Sequence, residues 1–368
     1  MAAERVRPSR GDAAHLIDPF RLVRGALHRL EPETAHELTL RVLELGLVPA
    51  QPSVDDPILA TTLCGLPLAN PIGLAAGFDK DARVYDRMAS QGFGFVEVGG
   101  VTPRPQRGNA RPRVFRLVED EAIVNRMGFP NDGAVAVETR LRTNRRSAVP
   151  LGVNLAANAD SADPAEDFVR LAERFAAHAD YLTLDISCPN TANGRVLLDP
   201  ARLSDLLARL AVLPRADGRP ALLAKLSPDV DDTRLERLLA VLLEARIDGI
   251  VVANTTQDRP ASLRSPLAAA PGGLSGRPFF VPSTALLARV RALTAAVPLV
   301  GVGGIASAED AYAKIRAGAS AVQLYTALVY QGAGLVTQIK RGLAQLLRRD
   351  GFTSLAEASG TGALPAVL

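Results

Sequence analysis

From residue 70 onward the chain repeats one pattern: a short apolar run, a loop rich in Gly, Asn and Pro, then a segment with helical spacing of apolar positions. The apolar runs are Ile72–Ala76, Phe95–Gly99, Leu151–Leu155, Tyr181–Ile186, Ala221–Leu226, Gly249–Ala253, Leu299–Val302 and Ala321–Tyr325. Runs this short and this continuously apolar suit parallel strands buried on both faces. The intervening segments, such as Leu203–Leu213 and Asp232–Ala245, predict the crossover helices. Eight strand–helix units predict an α/β fold of the (β/α)₈ TIM-barrel type rather than an open doubly wound sheet. Ahead of the barrel, Leu16, Phe20, Val23, Leu27 and Leu30 step along one helical face. A second set, Leu38, Leu40, Val42, Leu43 and Leu45, follows a break at Glu31-Pro32-Glu33-Thr34. This predicts a small two-helix extension. The chain therefore divides into residues 1–55, with a polar leader over 1–13, and a barrel over 56–368. Leu59–Leu68 reads as a short hairpin around Gly65, with Cys64 a buried small residue rather than a reactive one.

Composition narrows the functional classes. A length of 368 residues accommodates a barrel of about 250 residues with extensions. The content of 48% hydrophobic and 22% charged residues is that of a folded protein. A net charge of +3 with 4% aromatics, no Trp and scattered Arg argues against nucleic-acid binding. Cys64 and Cys188 are too few for a disulfide framework or a cysteine-held cluster. His15, His28, His36 and His178 lack metal-ligand spacing, so no metal is expected. No apolar run is long enough for a membrane-spanning helix, and no signal-cleavage pattern is present. Arg21, Arg24, Arg29 and Arg41 border the apolar face of the helix pair. That pattern fits either a helix pair lying in a membrane interface or a cap packed on the barrel. Of 42 basic residues only Lys80, Lys225, Lys314 and Lys340 are lysine, which marks Lys80 and Lys225 as positions where a compact ammonium matters.

In barrels the chemistry sits at the C-terminal ends of the strands. Strand one ends near Lys80, strand three at Asn154, strand four at Asp185–Thr191, strand five at Lys225 and strand six at Asn254. Strands seven and eight end in Gly301–Ile305 and in Tyr325 and Thr326. With Gly272–Gly276, these last loops predict a phosphate site, because glycine lets backbone N–H groups approach an anion. Asn125, Asn154, Asn190 and Asn254 converge with Lys80 and Lys225, a set suited to a flat, polar, anionic heterocycle. Cys188 is the candidate base, since a free thiol titrates at about 8.5 and a hydroxyl far higher.

The phrases "PETAHEL", "NPIGLAAGFDKDA", "VTPRPQRGN", "NRMGF", "GGLSGRP", "GVGGI" and "RAGASAVQLYTAL" stand in consistent order between Asp18 and Gly351. Together they resemble the dihydroorotate dehydrogenases, and "PETAHEL" resembles the quinone-dependent, membrane-associated class. The resemblance implies oxidation of dihydroorotate to orotate in pyrimidine synthesis, with FMN as hydride acceptor and a membrane quinone as final acceptor. It implies flavin positions at Ala76, Gly100, Asn154, Asp185, Lys225, Asn254, Gly276, Gly304, Tyr325 and Thr326. Substrate positions would be Lys80, Asn125, Gly128, Phe129, Asn190, Asn254 and Thr255, with Cys188, Thr191 and Phe129 as the catalytic set. Quinone would enter between the two helices and approach the flavin near Arg116 and Tyr325. The enzyme would then sit peripherally on the cytoplasmic face of the cell membrane, in contact with lipid.

Several positions depart from the class pattern. Cys188 stands for Ser, Asp185 for Asn, Gly100 for Ser or Thr, Pro130 for Asn, Ala156-Ala157 for Gly-Lys and Ala253 for Thr. Two other readings compete: a paralogous FMN oxidoreductase with another cyclic substrate, and a non-catalytic membrane-associated flavoprotein. Asp185 shares one face of strand four with Thr183 and Ser187, so it is expected to point into the mouth. There it would either pair with Lys225 or carry a proton.

Overall fold

Eight parallel strands close into a barrel in a computed structural model that describes residues 19–51, 55–144, 147–188, 190–211, 219–294 and 297–362. The polar leader, His15, Leu16 and the C-terminal side of the predicted Leu203–Leu213 helix lie outside the described residues. The strands are Ile72–Leu74, Phe95–Val101, Leu151–Leu155, Tyr181–Asp185, Ala221–Lys225, Gly249–Val252, Leu299–Val302 and Ala321–Leu324. Each pairs with its neighbour in sequence, and the eighth closes on the first through Val322 beside Ile72. Most predicted strands end one or two residues earlier than expected, because the last apolar residues peel away to line the mouth. Phe95–Val101 instead runs longer, with an irregular register between Gly99 and Val101.

The barrel interior is filled by large side chains entering the space left by glycine. A Cβ at Gly73 would lie 2.3 Å from the Phe95 ring, and one at Gly152 2.1 Å from the Tyr181 ring. Below this layer the hairpin Thr61–Leu63 and Leu66–Leu68 plugs the N-terminal end with Leu63 and Leu68. Cys64, in its turn, is half-buried and donates to the Asp248 carbonyl at 3.2 Å. Burial pushes its thiol up to about 12, so it is inert at neutral pH.

Helix Pro164–Phe175 shows how sequence sets the outer layer. Asp163 caps it by accepting from the Glu166 N–H, Pro164 opens its first turn, and Phe168, Leu171, Ala172 and Phe175 form the buried stripe. Burying Phe168 or Phe175 contributes about 1.5–3 kcal/mol each.

A three-stranded antiparallel sheet was not legible in the sequence. It joins Val114–Leu117, Ala122–Asn125 and Gly273–Gly276, from excursions after the second and sixth barrel strands. Its own small core is Leu117, Ala122, Val124 and Leu274.

Helices α1 (Pro19–Leu27) and α2 (Pro32–Glu44) lie over the mouth. Glu31 caps α2 by accepting from the Thr34 N–H at 2.9 Å, and Pro32 cannot continue α1, which fixes the break between them. Leu40 and Leu43 reach the main core. Glu33 pairs with buried Arg113 at 2.7 Å, and Arg83 bridges Glu37 and Glu44 at 2.8 and 2.6 Å. The expected single apolar face is in fact divided. Leu27 is half-buried, whereas Val23 and Leu30 are exposed together with Leu22, Leu38, Leu45 and Leu47. Among the described residues no helix is long and apolar enough to cross a membrane.

Candidate active site

One cavity of about 310 Å³ begins at the C-terminal ends of the strands and continues beneath α1 and α2. Its deep end is polar. Ala76, Lys80, Gly100, Asn125, Gly128, Phe129, Asn154, Asp185, Cys188, Asn190, Lys225, Asn254 and Thr255 all line it, as do Gly276, Gly304, Tyr325, Thr326 and Arg116. Thr191 is the exception among the expected site residues. Its Oγ1 packs near Gly194, behind the Cys188 carbonyl, and it is not part of the wall.

Asp185 and Lys225 are register partners on adjacent strands, yet the expected ion pair does not form. Asp185 Oδ1 instead accepts from Asn254 Nδ2 at 3.0 Å and from the Ser187 N–H at 3.4 Å. Burial holds the Asp185 carboxyl above the usual carboxylate range, with the Lys225 charge opposing that shift. The direction agrees with the protonated alternative. Lys225, itself buried, makes no hydrogen bond or ion pair to any described residue, so its ammonium is available to a ligand. Asn254 is committed within the protein, because its oxygen accepts from the Thr255 N–H at 2.8 Å while its nitrogen serves Asp185. Asn190 donates to Asn125 at 3.4 Å.

Burial pushes the Cys188 thiol well up, and the neighbouring Asp185 pushes it further; the Asn190 backbone N–H, Lys225 and Arg195 act in the opposite direction. The premise that Cys188 titrates near working pH is therefore corrected: its surroundings favour the thiol. Lys80 donates to the Gly77 carbonyl at 2.6 Å, and burial lowers its pKa to about 8.

The glycines expected to cradle phosphate are required first by packing. Gly304, at φ +77, would put a Cβ 2.4 Å from the Phe280 Cα; Gly276, at φ +96, would put one 2.4 Å from the Glu121 carbonyl oxygen. Gly100 has a related constraint, since a Cβ there would lie 2.8 Å from the Phe129 ring.

Sequence reasoning missed Glu97, Gln323, His36 and Phe78. Glu97 and Gln323 carried a signal, each being a lone polar residue in an otherwise apolar strand. His36, Phe78 and Tyr325 form an aromatic cluster, with Phe78 edge-on to His36 at 5.3 Å and to Tyr325 at 5.5 Å. Burial, and then the Lys80 charge, lower the His36 pKa to about 3, so it is neutral at physiological pH. Under the helices the wall turns apolar, with Phe20, Leu27, Ala35 and Val329 facing Arg116 and Tyr330. Arg116 donates to the His28 carbonyl at 3.0 Å, and its Nε is buried without a partner.

A closed barrel with glycine loops after strands six and seven, two lysines and a ring of amides at its mouth defines the class of barrel oxidoreductases that work on a flat bound heterocycle. Residues 58–347 match the family model for dihydroorotate dehydrogenase, and the chain belongs to that family. The family's members are flavoproteins. The chain is 52% identical over 339 residues to a dihydroorotate dehydrogenase (quinone) of Cereibacter sphaeroides, covering 92% of this chain and 96% of that one. It is 48% identical over 352 residues to one from Azorhizobium caulinodans, covering 94% and 99%. The crystal structure of dihydroorotate dehydrogenase from Eimeria tenella in complex with ferulenol superposes with a TM-score of 0.86 at 36% identity, covering 92% of this chain and 98% of that one.

Proposed function

We propose that this enzyme oxidises dihydroorotate to orotate in pyrimidine biosynthesis, with FMN as the bound flavin and a membrane quinone as the final electron acceptor. The observation that carries this reading is the single cavity with two unlike ends. Lysines, amides and a thiol surround the deep end, and apolar side chains of a helix pair surround the other. The free Lys225 ammonium and the buried, unpartnered oxygens of Asn154 and Gln323 fit a flavin ring, which offers both acceptors and donors. Gly276, Gly304 and Thr326 would hold its phosphate. When bound, FMN would supply acceptance of the hydride from C6 of dihydroorotate and delivery of electrons to quinone.

The remaining work falls to side chains. Lys80 binds the substrate carboxylate, while Asn125, Asn190 and Thr255 orient the ring. Cys188 Sγ, as the thiolate, takes the C5 proton, and the Asn190 N–H and Lys225 favour that form against burial and Asp185. Phe129 covers the reacting face and excludes water. Arg116 Nε, buried and unpartnered, donates to a quinone carbonyl near Tyr325. The exposed leucines of α1 and α2 support a peripheral seat in the membrane interface, and we place that seat on the cytoplasmic face. Residues 1–55 thus form the lipid- and quinone-facing unit, and residues 56–368 the catalytic barrel. Anaerobic mixing with dihydroorotate should bleach the flavin absorbance, and a quinone should restore it. Flavin that dithionite bleaches but dihydroorotate does not would overturn the substrate assignment.

A further inference from the structure

Beneath the polar end of the cavity lies a carboxylate that no step above uses. Glu97, on the second barrel strand, is fully buried and, among the described residues, has no cation in ion-pair contact. It accepts from three neutral donors on three other strands: Asn154 Nδ2 at 3.0 Å, Gln323 Nε2 at 2.7 Å and the Tyr181 hydroxyl at 3.2 Å. Asn154 donates to one carboxyl oxygen and Gln323 to the other, so both amides turn their nitrogens toward Glu97 and their oxygens away from it. Asn154 Oδ1 and Gln323 Oε1 are left buried without a partner, on residues that line the cavity. A buried carbonyl left unpaired is costly, so these two oxygens call for ligand donors.

We propose that Glu97 is a positioning residue for the flavin. It fixes the flip state of Asn154 and Gln323, so that the cavity presents two acceptors as well as the Lys225 ammonium. Donors complementary to those oxygens are the imide N–H of the flavin ring and a ribityl hydroxyl; the Lys225 ammonium complements a ring carbonyl or nitrogen. This inference rests on the flavin reading above and adds the device that selects which edge of the heterocycle is bound.

Glu97→Gln is isosteric but carries one donor group and one acceptor oxygen. Asn154 and Gln323 donate to different oxygens of Glu97, so in the variant one of them meets an NH₂ and must flip, turning its own NH₂ toward the ligand. FMN affinity, measured by fluorescence quenching on reconstitution, should fall at least about tenfold. The control is FMN methylated at the imide nitrogen, which has no N–H to donate there; its affinity should differ little between wild type and Glu97→Gln. Equal weakening for both flavins would mean a general structural role and would overturn the proposal, as would unchanged FMN affinity. Should Glu97→Gln fail to fold, Gln323→Leu leaves the carboxylate and Asn154 in place and should still weaken FMN several-fold. Wild-type affinity in that variant would overturn the proposal as well. Wild-type protein that takes up no flavin would overturn the flavin reading and this one together, whereas normal uptake with an unaffected Glu97→Gln would overturn this one alone.

Discussion

The two ends of the cavity are built by opposite means. At the barrel mouth, position is set by buried polar bonds and by glycine contacts with almost no slack, such as the 2.4 Å between a Gly304 Cβ and Phe280. Over the other end, α1 and α2 are held by the buried Glu33–Arg113 pair, by more exposed ion pairs and by a few core leucines, while six large apolar residues of this segment remain exposed. Rigid geometry suits proton and hydride chemistry, which fails with small displacements. A loosely seated, outwardly apolar pair suits entry of a greasy acceptor. Changes at the mouth should therefore remove cofactor or chemistry, and changes on the pair should leave both intact.

The largest effect is expected from Gly304→Val. A β-branched residue at φ +77 is strained by about 1–3 kcal/mol before any clash, and its Cβ would overlap the Phe280 backbone. The variant should purify without flavin and unfold at a markedly lower temperature. Full flavin content would sink the assignment of this loop to the phosphate.

Next comes Cys188→Ser. Loss of the thiol should slow flavin reduction by about 10²-fold or more near neutral pH. It should also move the rising limb of the pH profile upward, since a hydroxyl ionises less readily than even this buried thiol. The opposite limb belongs to Lys80. Its pKa is depressed to about 8, so the ammonium that binds an anionic substrate is lost as pH rises through that value. The KM for dihydroorotate should climb above about pH 8 while flavin content stays constant. A KM that is flat through pH 9.5 would remove Lys80 from the substrate site.

The same contrast explains what could be read from sequence. The barrel strands were legible because burial on both faces writes them as unbroken apolar runs, and the mouth residues because polar groups follow those runs. The sheet Val114–Leu117, Ala122–Asn125 and Gly273–Gly276 was hidden, since its third strand comes from the distant sixth-strand excursion and is mostly small residues. Asp185 was correctly aimed at the cavity, but its partner was wrong: strand neighbourhood favoured Lys225, whereas Asn254 reaches it from the sixth-strand loop. Glu97 stood in plain view inside "FVEVGGV". Its role depends on three side chains brought together only by barrel closure, and no spacing encodes that.

The smallest effect tests the outer end. Leu22 and Leu45 are 74% and 72% exposed, so neither contributes much to packing. Replacing both by Glu should leave the thermal stability of the protein nearly unchanged, because exposed positions tolerate charge at within about 0.5 kcal/mol. Flavin reduction by dihydroorotate and reoxidation by a short, water-soluble quinone should also stay at wild-type rates. Binding to anionic vesicles should respond. Each leucine that enters the interface contributes on the order of 1 kcal/mol, and each new carboxylate is repelled by the lipid charge, so the pair should weaken binding by about a hundredfold. Detergent should release the wild-type protein from vesicles more readily than salt, because apolar burial outweighs the arginine attraction. If the double variant binds vesicles like the wild type, the exposed leucines are not a membrane face. If instead it loses flavin reduction, the helix pair is coupled to the mouth more tightly than its rim ion pairs imply, and the division of the cavity into a rigid and a loose end fails.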